Sequence, residues 1–328
     1  MSYVWKLLEH TRVASYQLSV SNEITFVIFT TSGKTTYNWP NANKGCVIVS
    51  RIHIVTDSTS DLSKDEIIAN DIHVVPLTIQ IDGETFVDGV DVQPDTFLEL
   101  MKNSKNLPKS SQPATGKFKE LYDELGKNGD RIISIHMTGG MSGTYESARQ
   151  AASMSDSDVT VIDSRFIAIG LAIQIREAIR LRKEGASVEE IVKRLEVVRD
   201  NTNLFVVVDT LENLIKGGRI GKGKGMIGSL LNIKPIASLE NGEYTPVSKA
   251  RSYKQVINYL FNQFQEDTAG KQVKAVGISH ADGLKTMGNS LIGLIESTGF
   301  KDVEIKFTSP IISTHTGRGA IGFIYFAE

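Results

Sequence analysis

A single cysteine, Cys46, stands among 328 residues, so the chain cannot close an internal disulfide or build a multi-cysteine metal site. That usage fits a reducing, cytoplasmic compartment. Proline is scarce as well, at 8 residues against 28 glycines, a balance that suits many tight turns without low complexity. No charge of one sign dominates: 36 basic and 38 acidic residues leave a formal net charge of -2, too small to draw nucleic acid or an anionic membrane to the whole surface. Nor does any apolar run approach the roughly 18 residues that spanning a bilayer requires. Hydrophobic residues at 41% and charged residues at 23% are ordinary globular values, and the length suits two domains sharing a cleft.

The first 49 residues differ from the rest. They hold both tryptophans, Trp5 and Trp39, and the lone cysteine, and they lack the basic and apolar regions of a signal peptide. A strong start comes only at Arg51-Ile-His-Ile-Val-Thr-Asp57, a β-branched strand running into a polar turn. One reading is that residues 1–49 are translated leader. Lys44-Gly45 can be encoded by a purine-rich ribosome-binding stretch, and Val47 or Val49 by a GTG start codon. The other is a genuine appended hairpin on Ile24-Thr-Phe-Val-Ile-Phe29.

From residue 51 the pattern alternates. Residues 52–55, 74–81, 131–136 and 159–162 read as strands, and 96–101, 116–127, 145–154 and 166–183 as helices. Such alternation predicts a mostly parallel, doubly wound sheet. A helix over 187–199 and a buried strand over 204–208 follow. Beyond them come a hairpin over 233–247 turning at Asn241-Gly242, helices at 253–264 and 284–297, and strands at 273–279, 303–308 and 320–326. The second half therefore reads as a mixed sheet with helices on one face.

Three polar turns fall at the carboxyl ends of predicted strands, where open α/β sheets place ligands: Thr56-Asp-Ser-Thr-Ser-Asp61, Thr138-Gly-Gly-Met-Ser-Gly-Thr144 and Asp163-Ser164. Each alone is an ordinary helix cap; together they suit an anion. Gly139, Gly140 and Gly143 allow close backbone approach beside Ser142. A nucleophilic serine is the alternative there, but Gly140-Met-Ser-Gly-Thr144 ends in Thr, so the Gly-x-Ser-x-Gly elbow is absent. Gly218 to Lys224 spells G-x-x-x-x-G-K, yet Gly225 stands where the Mg²⁺-binding hydroxyl belongs, and 210–216 reads as helix where a P-loop needs a strand. The segment 216–225 is otherwise a flexible basic loop or a docking surface for an anionic group or a partner. None of the six histidines pairs at helical or loop metal spacing, so no metal site is expected. His315, in Ser313-Thr-His-Thr-Gly-Arg-Gly319, is placed in a glycine-containing turn before the last strand.

In order, Val55-Thr-Asp-Ser58, Val75-Pro-Leu77, Asp88-Gly-Val-Asp91, Ser110-Ser-Gln-Pro113, Ser142-Gly-Thr-Tyr145, Asp163-Ser164, Gly217-Gly-Arg219, Asn232-Ile-Lys-Pro-Ile236, Lys249-Ala-Arg251 and His315-Thr-Gly317 resemble the DegV family, the fatty-acid-binding subunits of bacterial fatty acid kinases. The resemblance runs from about residue 51 to 328. It implies an α/β fold of two domains, a three-layer parallel-sheet domain over 51–202 and a two-layer mixed-sheet domain over 203–328, with the ligand between them. It implies a non-catalytic carrier that needs no cofactor, binding a long-chain fatty acid and presenting it to a fatty acid kinase catalytic subunit that forms the acyl phosphate. No nucleic acid is implied, and membrane contact would be transient.

Carried over residue by residue, Ser110, where the family usually has Thr, Ser142 and His315 ligate the carboxylate. Ser111, Gly143, Thr144, Asp57, Ser58, Asp163, Ser164 and Thr316 lie nearby or support them. Arg219 and Arg251 face the head group and the partner. Ala114 replaces a common Ser, and Arg318 a common Pro, which loosens the His315 turn or adds a charge. Burying a sixteen-carbon tail is worth up to roughly 12 kcal/mol relative to water, at ~0.8 per methylene. A buried carboxylate needs donors to offset its desolvation. The runner-up is an α/β enzyme acting on a phosphorylated small molecule through 216–225. For the leader reading, intact-mass analysis of protein from the native host is expected to show a chain starting near residue 49; a mature chain beginning at Met1 removes that reading.

Overall fold

β-branched runs and amphipathic runs alternate along most of this chain, and the computed structural model turns them into strands and helices much as period and composition require. It describes residues 13–18, 24–30, 33–39, 51–226 and 233–328; Lys44-Gly45, Val47, Val49 and Asn232 lie outside the described residues. Two units are distinguished, Met1–Val49 and Ser50–Glu328. In the first, strands β1 (Val13–Leu18), β2 (Ile24–Thr30) and β3 (Gly33–Trp39) pair antiparallel in that order.

In the second unit, β4 (Ile52–Asp57) leads through helix α1 (Lys64–Ala69) to β5 (Ile72–Val75), and two short strands follow, β6 (Thr78–Ile81) and β7 (Glu84–Val87). The single strand expected over 74–81 is thus two strands in two sheets. Pro76 separates them, because a residue without an N–H cannot continue a ladder. After α2 (Pro94–Asn103) the three-residue β8 (Lys109–Ser111) pairs with β6, with Ser110 opposite Ile79. Next come α3 (Thr115–Leu125), β9 (Arg131–His136), α4 (Thr144–Met154), β10 (Asp158–Asp163), α5 (Ala168–Lys183) and α6 (Val188–Asp200). Strands β10, β9, β4 and β5 form a wholly parallel sheet in that order.

The remaining chain builds a mixed sheet: β11 (Thr202–Val207), α7 (Glu212–Lys216), β12 (Lys234–Glu240), β13 (Glu243–Ala250), α8 (Tyr253–Thr268), β14 (Val273–Ala281), α9 (Asn289–Ser297), β15 (Val303–Phe307), α10 (Pro310–Thr316) and β16 (Ala320–Ala327). Its order is β13-β12-β11-β16-β14-β15, and β14 with β15 is its parallel pair. The β12–β13 turn is the expected one. Asn241 at φ 53 and Gly242 at φ 80 are the two positive-φ centres of a type I′ turn.

Period two explains the layering of this sheet. Phe205, Val207, Ile321, Phe323 and Tyr325 face α8 and α9, while Leu204, Val206, Ala320, Ile324 and Phe326 face the other way. That inner face meets α5, whose residues from Ala168 through Ile175 are all buried. A helix apolar on every side must be covered on every side. It touches β4 and β9 of the parallel sheet and β11, β14 and β16 of the mixed sheet, so both sheets share one core. The far face of the parallel sheet carries a separate cluster, Val55, Val75 and Ile132 under Phe118, Tyr122, Ala148 and Ala151 of α3 and α4. Helices cover one face of the mixed sheet, as expected of the second half, and α5 of the first half covers the other.

Contact between α5 and β14 is close: a Cβ on Gly277 would lie 2.7 Å from Ile169 Cδ1 and 2.9 Å from its Cγ2. Gly277→Val is therefore expected to lower stability by about 1–3 kcal/mol through overpacking. Equilibrium urea unfolding checks this, and an unchanged midpoint would show that the helix does not lie so close.

Candidate functional site

Between the inner face of the mixed sheet and the loops of the parallel sheet lies a cavity. Leu77, Met137, Met141, Ile167, Val206, Leu214, Ile311 and Ile312 make most of its wall, and Ser110, Ser142, His315, Thr316, Gln112, Arg219 and Tyr244 supply polar atoms. A second cavity shares Ile167, Val206, Ile312 and Thr316 with it and continues past Ala168, Leu204, Ala281 and Gly322. In series they trace an apolar channel with one polar end.

Four segments far apart in sequence make that end. Ser110 sits in the middle of β8, where alternation turns its side chain inward and leaves Ser111 exposed. Its Oγ is 2.7 Å from His315 Nε2. His315 lies in the last turn of α10 and not in a turn of irregular backbone as expected. Ser309 caps that helix, Pro310 starts it, and Gly317 at φ 75 ends it, the order of signals that favours a short helix. Burial, then the nearby Arg219 charge, pushes His315 down to about 4, so near neutrality the ring is uncharged and carries one N–H. Its Nδ1 has no hydrogen-bond partner and lies against Gly217, where a Cβ would come within 2.3 Å of it.

Ser142 lies in the turn that leads into α4. Its Oγ accepts from Thr144 N at 3.2 Å and is 2.8 Å from Thr144 Oγ1. Gly143 leaves room for the end of the Gln112 side chain, which a Cβ there would displace, at 2.1 Å. Gln112 itself donates to Ser147 Oγ at 2.8 Å. Arg219 ties the site together: its Nε donates to Met141 O at 3.1 Å and its Nη1 to Gly217 O at 2.6 Å. The structure thus brings Ser110, Ser142, His315, Thr316 and Arg219 to one cavity. Gln112, which lies in the Ser110-Ser-Gln-Pro113 motif, and Tyr244, whose buried hydroxyl has no partner, join them without having been expected as site residues.

Of the other expected residues, Gly143 and Thr144 adjoin Ser142, whereas Asp57, Ser58, Asp163 and Ser164 do not line this cavity. Asp163 accepts from Gly139 N at 3.2 Å and Arg165 N at 2.8 Å, and buried Ser164 donates to Phe166 O and accepts from Phe166 N; both build turns. Asp57 accepts from Thr59 N and Oγ1 and from Met137 N, and lies 3.1 Å from His136 Nδ1. Continuing that chain, His136 Nε2 is 2.6 Å from Ser134 Oγ, which accepts from Tyr122 OH. This has the order of a Ser-His-Asp triad, but Asp57, Ser134 and His136 are each at 0% exposure. No substrate reaches them, and the network instead fixes the start of the Met137–Ser142 turn. Arg251 is exposed and lines a different cleft with Asp209, Lys216 and Lys234. Arg318 adds no loose charge, because Asp282 and Glu99 accept from it. Ala114 occupies the N-cap of α3 and makes no side-chain cap bond, forgoing about 1 kcal/mol that a serine would supply.

The glycine-rich segment 216–225 is no phosphate cradle. The N–H groups of Gly218, Arg219 and Gly223 are spent on Ile215 O, Leu214 O and Ile220 O, and Gly221–Met226 winds into a 3₁₀ helix. A Cβ on Gly221 would sit 2.8 Å from Tyr244 O and one on Gly223 3.2 Å from its ring, so these two glycines serve packing on β13.

An α/β protein whose two sheets enclose an apolar channel with a polar mouth is the class these features define. The chain belongs to the DegV family, whose model, described as an uncharacterised protein of that name, matches residues 51–328. A DegV domain-containing protein of Staphylococcus aureus (strain COL) is 46% identical over 271 residues, 83% of this chain and 97% of that protein. A fatty-acid-binding DegV protein from Bacillus subtilis is 34% identical with a TM-score of 0.76, covering 84% of this chain and 99% of that one. A fatty-acid-binding DegV family protein from Thermus thermophilus superposes with a TM-score of 0.79 at 29% identity, over 85% and 100% of the two chains.

Above the N-terminus of α10 lies an acidic cluster. Ser58 donates to Asp88 Oδ2 at 2.6 Å, and Asp61 accepts from Thr308 Oγ1 and Ser309 N. Asp88 is 2% exposed; burial, with repulsion from Asp57 and Asp61 added, pushes it up to about 7, and burial pushes Asp61 up to about 7 as well. A carboxyl raised in the fold binds its proton more tightly there than in the unfolded chain. The stability it contributes is therefore full below 3.8 and lost as pH rises towards about 7. Asp88→Asn removes one such proton, so the variant is expected to gain stability over the parent across that window, by up to about 1.4 kcal/mol per pH unit. Urea midpoints of both proteins across the window check it; a difference that does not change with pH would count against the raised carboxyl.

Proposed function

We propose that this chain is a cytoplasmic, non-catalytic carrier that holds one long-chain fatty acid in the channel, its tail between the two halves 51–202 and 203–328 and its carboxylate at Ser110, Ser142 and His315. It would present that carboxylate to a fatty acid kinase, which forms the acyl phosphate. The observation that carries the reading is the pairing of two cavities in series, apolar along their length, with hydroxyls and an imidazole gathered at one end. The Bacillus subtilis and Thermus thermophilus relatives are fatty-acid-binding proteins, which supports it.

A neutral His315 suits the role, since its N–H donates to a carboxylate without a buried cation to desolvate. Arg219 adds charge beside the mouth while its two donors hold Met141 and Gly217. Ser110 and His315 resemble part of a hydrolytic site, but His315 Nδ1 meets Gly217 where an orienting acid would stand. Thr316, Thr144 and Gly143 support the mouth, and Arg251, on the exposed surface, is a partner-facing cation.

Denaturing extraction of the purified protein followed by lipid mass spectrometry is expected to release about one long-chain fatty acid per chain. Ser142→Ala should weaken oleate binding by one hydrogen bond to a charged group, about 1.5–3 kcal/mol. Binding as tight as the parent's overturns the head-group assignment. Gly322→Leu, placed on the wall of the second cavity, should shift preference towards shorter acids without altering the mouth.

A further inference from the structure

On the edge of the parallel sheet, at the amino ends of its strands and away from the channel, two histidines and an aspartate converge. The register accounts for it. Val55 of β4 pairs with His73 of β5, and His53 is two residues before Val55, so both imidazoles stand on one face. Their ring centroids are 5.5 Å apart in an edge-to-face arrangement. Asp71 precedes β5 at φ 49, and one nitrogen of each ring and one Asp71 oxygen all lie within 4.8 Å of one another.

Two features separate this group from a chance meeting of polar side chains. His53 is 7% exposed, yet its Nδ1 has no hydrogen-bond partner, and neither has His73 Nε2. Buried imidazole nitrogens left unpaired on both rings cost free energy unless something accepts their lone pairs. His53 Nε2, moreover, lies 3.1 Å from Asp130 Oδ2, the carboxylate–histidine pairing that orients a metal-ligating ring and leaves its other nitrogen for the ion.

We propose that His53, His73 and Asp71 bind one zinc ion, with solvent as the fourth ligand. Two imidazole nitrogens and one carboxylate favour Zn²⁺ over the oxygen-seeking Mg²⁺ or Ca²⁺. Ligand atoms on a tetrahedron with bonds of ~2.1 Å stand roughly 3.4 Å apart, so the group must contract. Asp71, half exposed, and His73, a quarter exposed, are free to do so. Arg51 pairs with Asp71 Oδ2 and Arg182 donates to Ile52 O and Asn70 O nearby. Their two charges balance those of Asp71 and Asp130, so the ion enters a site of no net charge, and Arg51 must yield or share the carboxylate. Spacing along the chain holds no hint of this, since twenty positions separate the two histidines and only strand pairing joins them.

The test uses the full, tag-free chain stripped with a chelator and titrated with Zn²⁺ in a calorimeter, with Co²⁺ absorption as a second readout. One equivalent and tetrahedral Co²⁺ bands are expected. His73→Gln should weaken uptake by more than about 100-fold and Asp130→Asn by about 10–100-fold, with oleate binding unchanged in both. His10→Gln and Cys46→Ser, which remove the other nitrogen and thiol donors of the N-terminal 49 residues, should bind zinc as the parent does. Absence of saturable uptake, equal uptake by His73→Gln and the parent, or loss in Cys46→Ser overturns the proposal.

Discussion

Helix α5 has no polar side along its first two turns, and a helix of that kind is stable in water only if something covers it all round. Here two sheets do so, the parallel one through β4 and β9 and the mixed one through β11, β14 and β16. The rest of the architecture follows from this double demand. Each sheet turns one apolar face to α5 and must bury its other face under its own helices, α3 and α4 for the first and α8 and α9 for the second. The core is then shared between the two halves of the chain. At the start of α5, at Ile167 and Ala168, the shared core borders the channel.

The mouth of the channel shows how polar groups are tolerated next to so much apolar surface. Most are paired: Thr138 Oγ1 donates to Gly242 O at 2.8 Å, tying the glycine turn of the first half to the hairpin of the second, and Arg219 spends its donors on backbone carbonyls of both. Those left over, His315 Nδ1 and the Tyr244 hydroxyl, face the cavity or its wall. Unpaired buried groups cost of order 1–3 kcal/mol each. At the mouth of an apolar channel such groups stand where a polar ligand can pair with them.

Two Ser-His pairs in one chain show why geometry alone does not define chemistry. Ser134-His136-Asp57 has the complete order of a catalytic triad and is sealed at 0% exposure. Ser110-His315 opens on a cavity and lacks the acid. Neither meets the conditions for acyl transfer, an activated and reachable nucleophile together. The first stiffens the turn that carries Ser142; the second is suited to receive an anion.

Period and composition alone determined most of the elements. The helices of the first half, the Asn241-Gly242 hairpin and the alternating strands of the second were legible because hydrophobic spacing and turn chemistry are local. Ser142 and Ser110 stood out through motif order. What the sequence could not decide was whatever depends on residues meeting across the fold: that 74–81 divides between two sheets at Pro76, that His315 rides on a helix, that Asp57 and Ser164 serve buried networks, that Gln112 and Tyr244 reach the cavity, and that His53 stands beside His73. Each arises from pairing or packing between segments tens to hundreds of positions apart, and side-chain spacing along the chain carries no record of such distances.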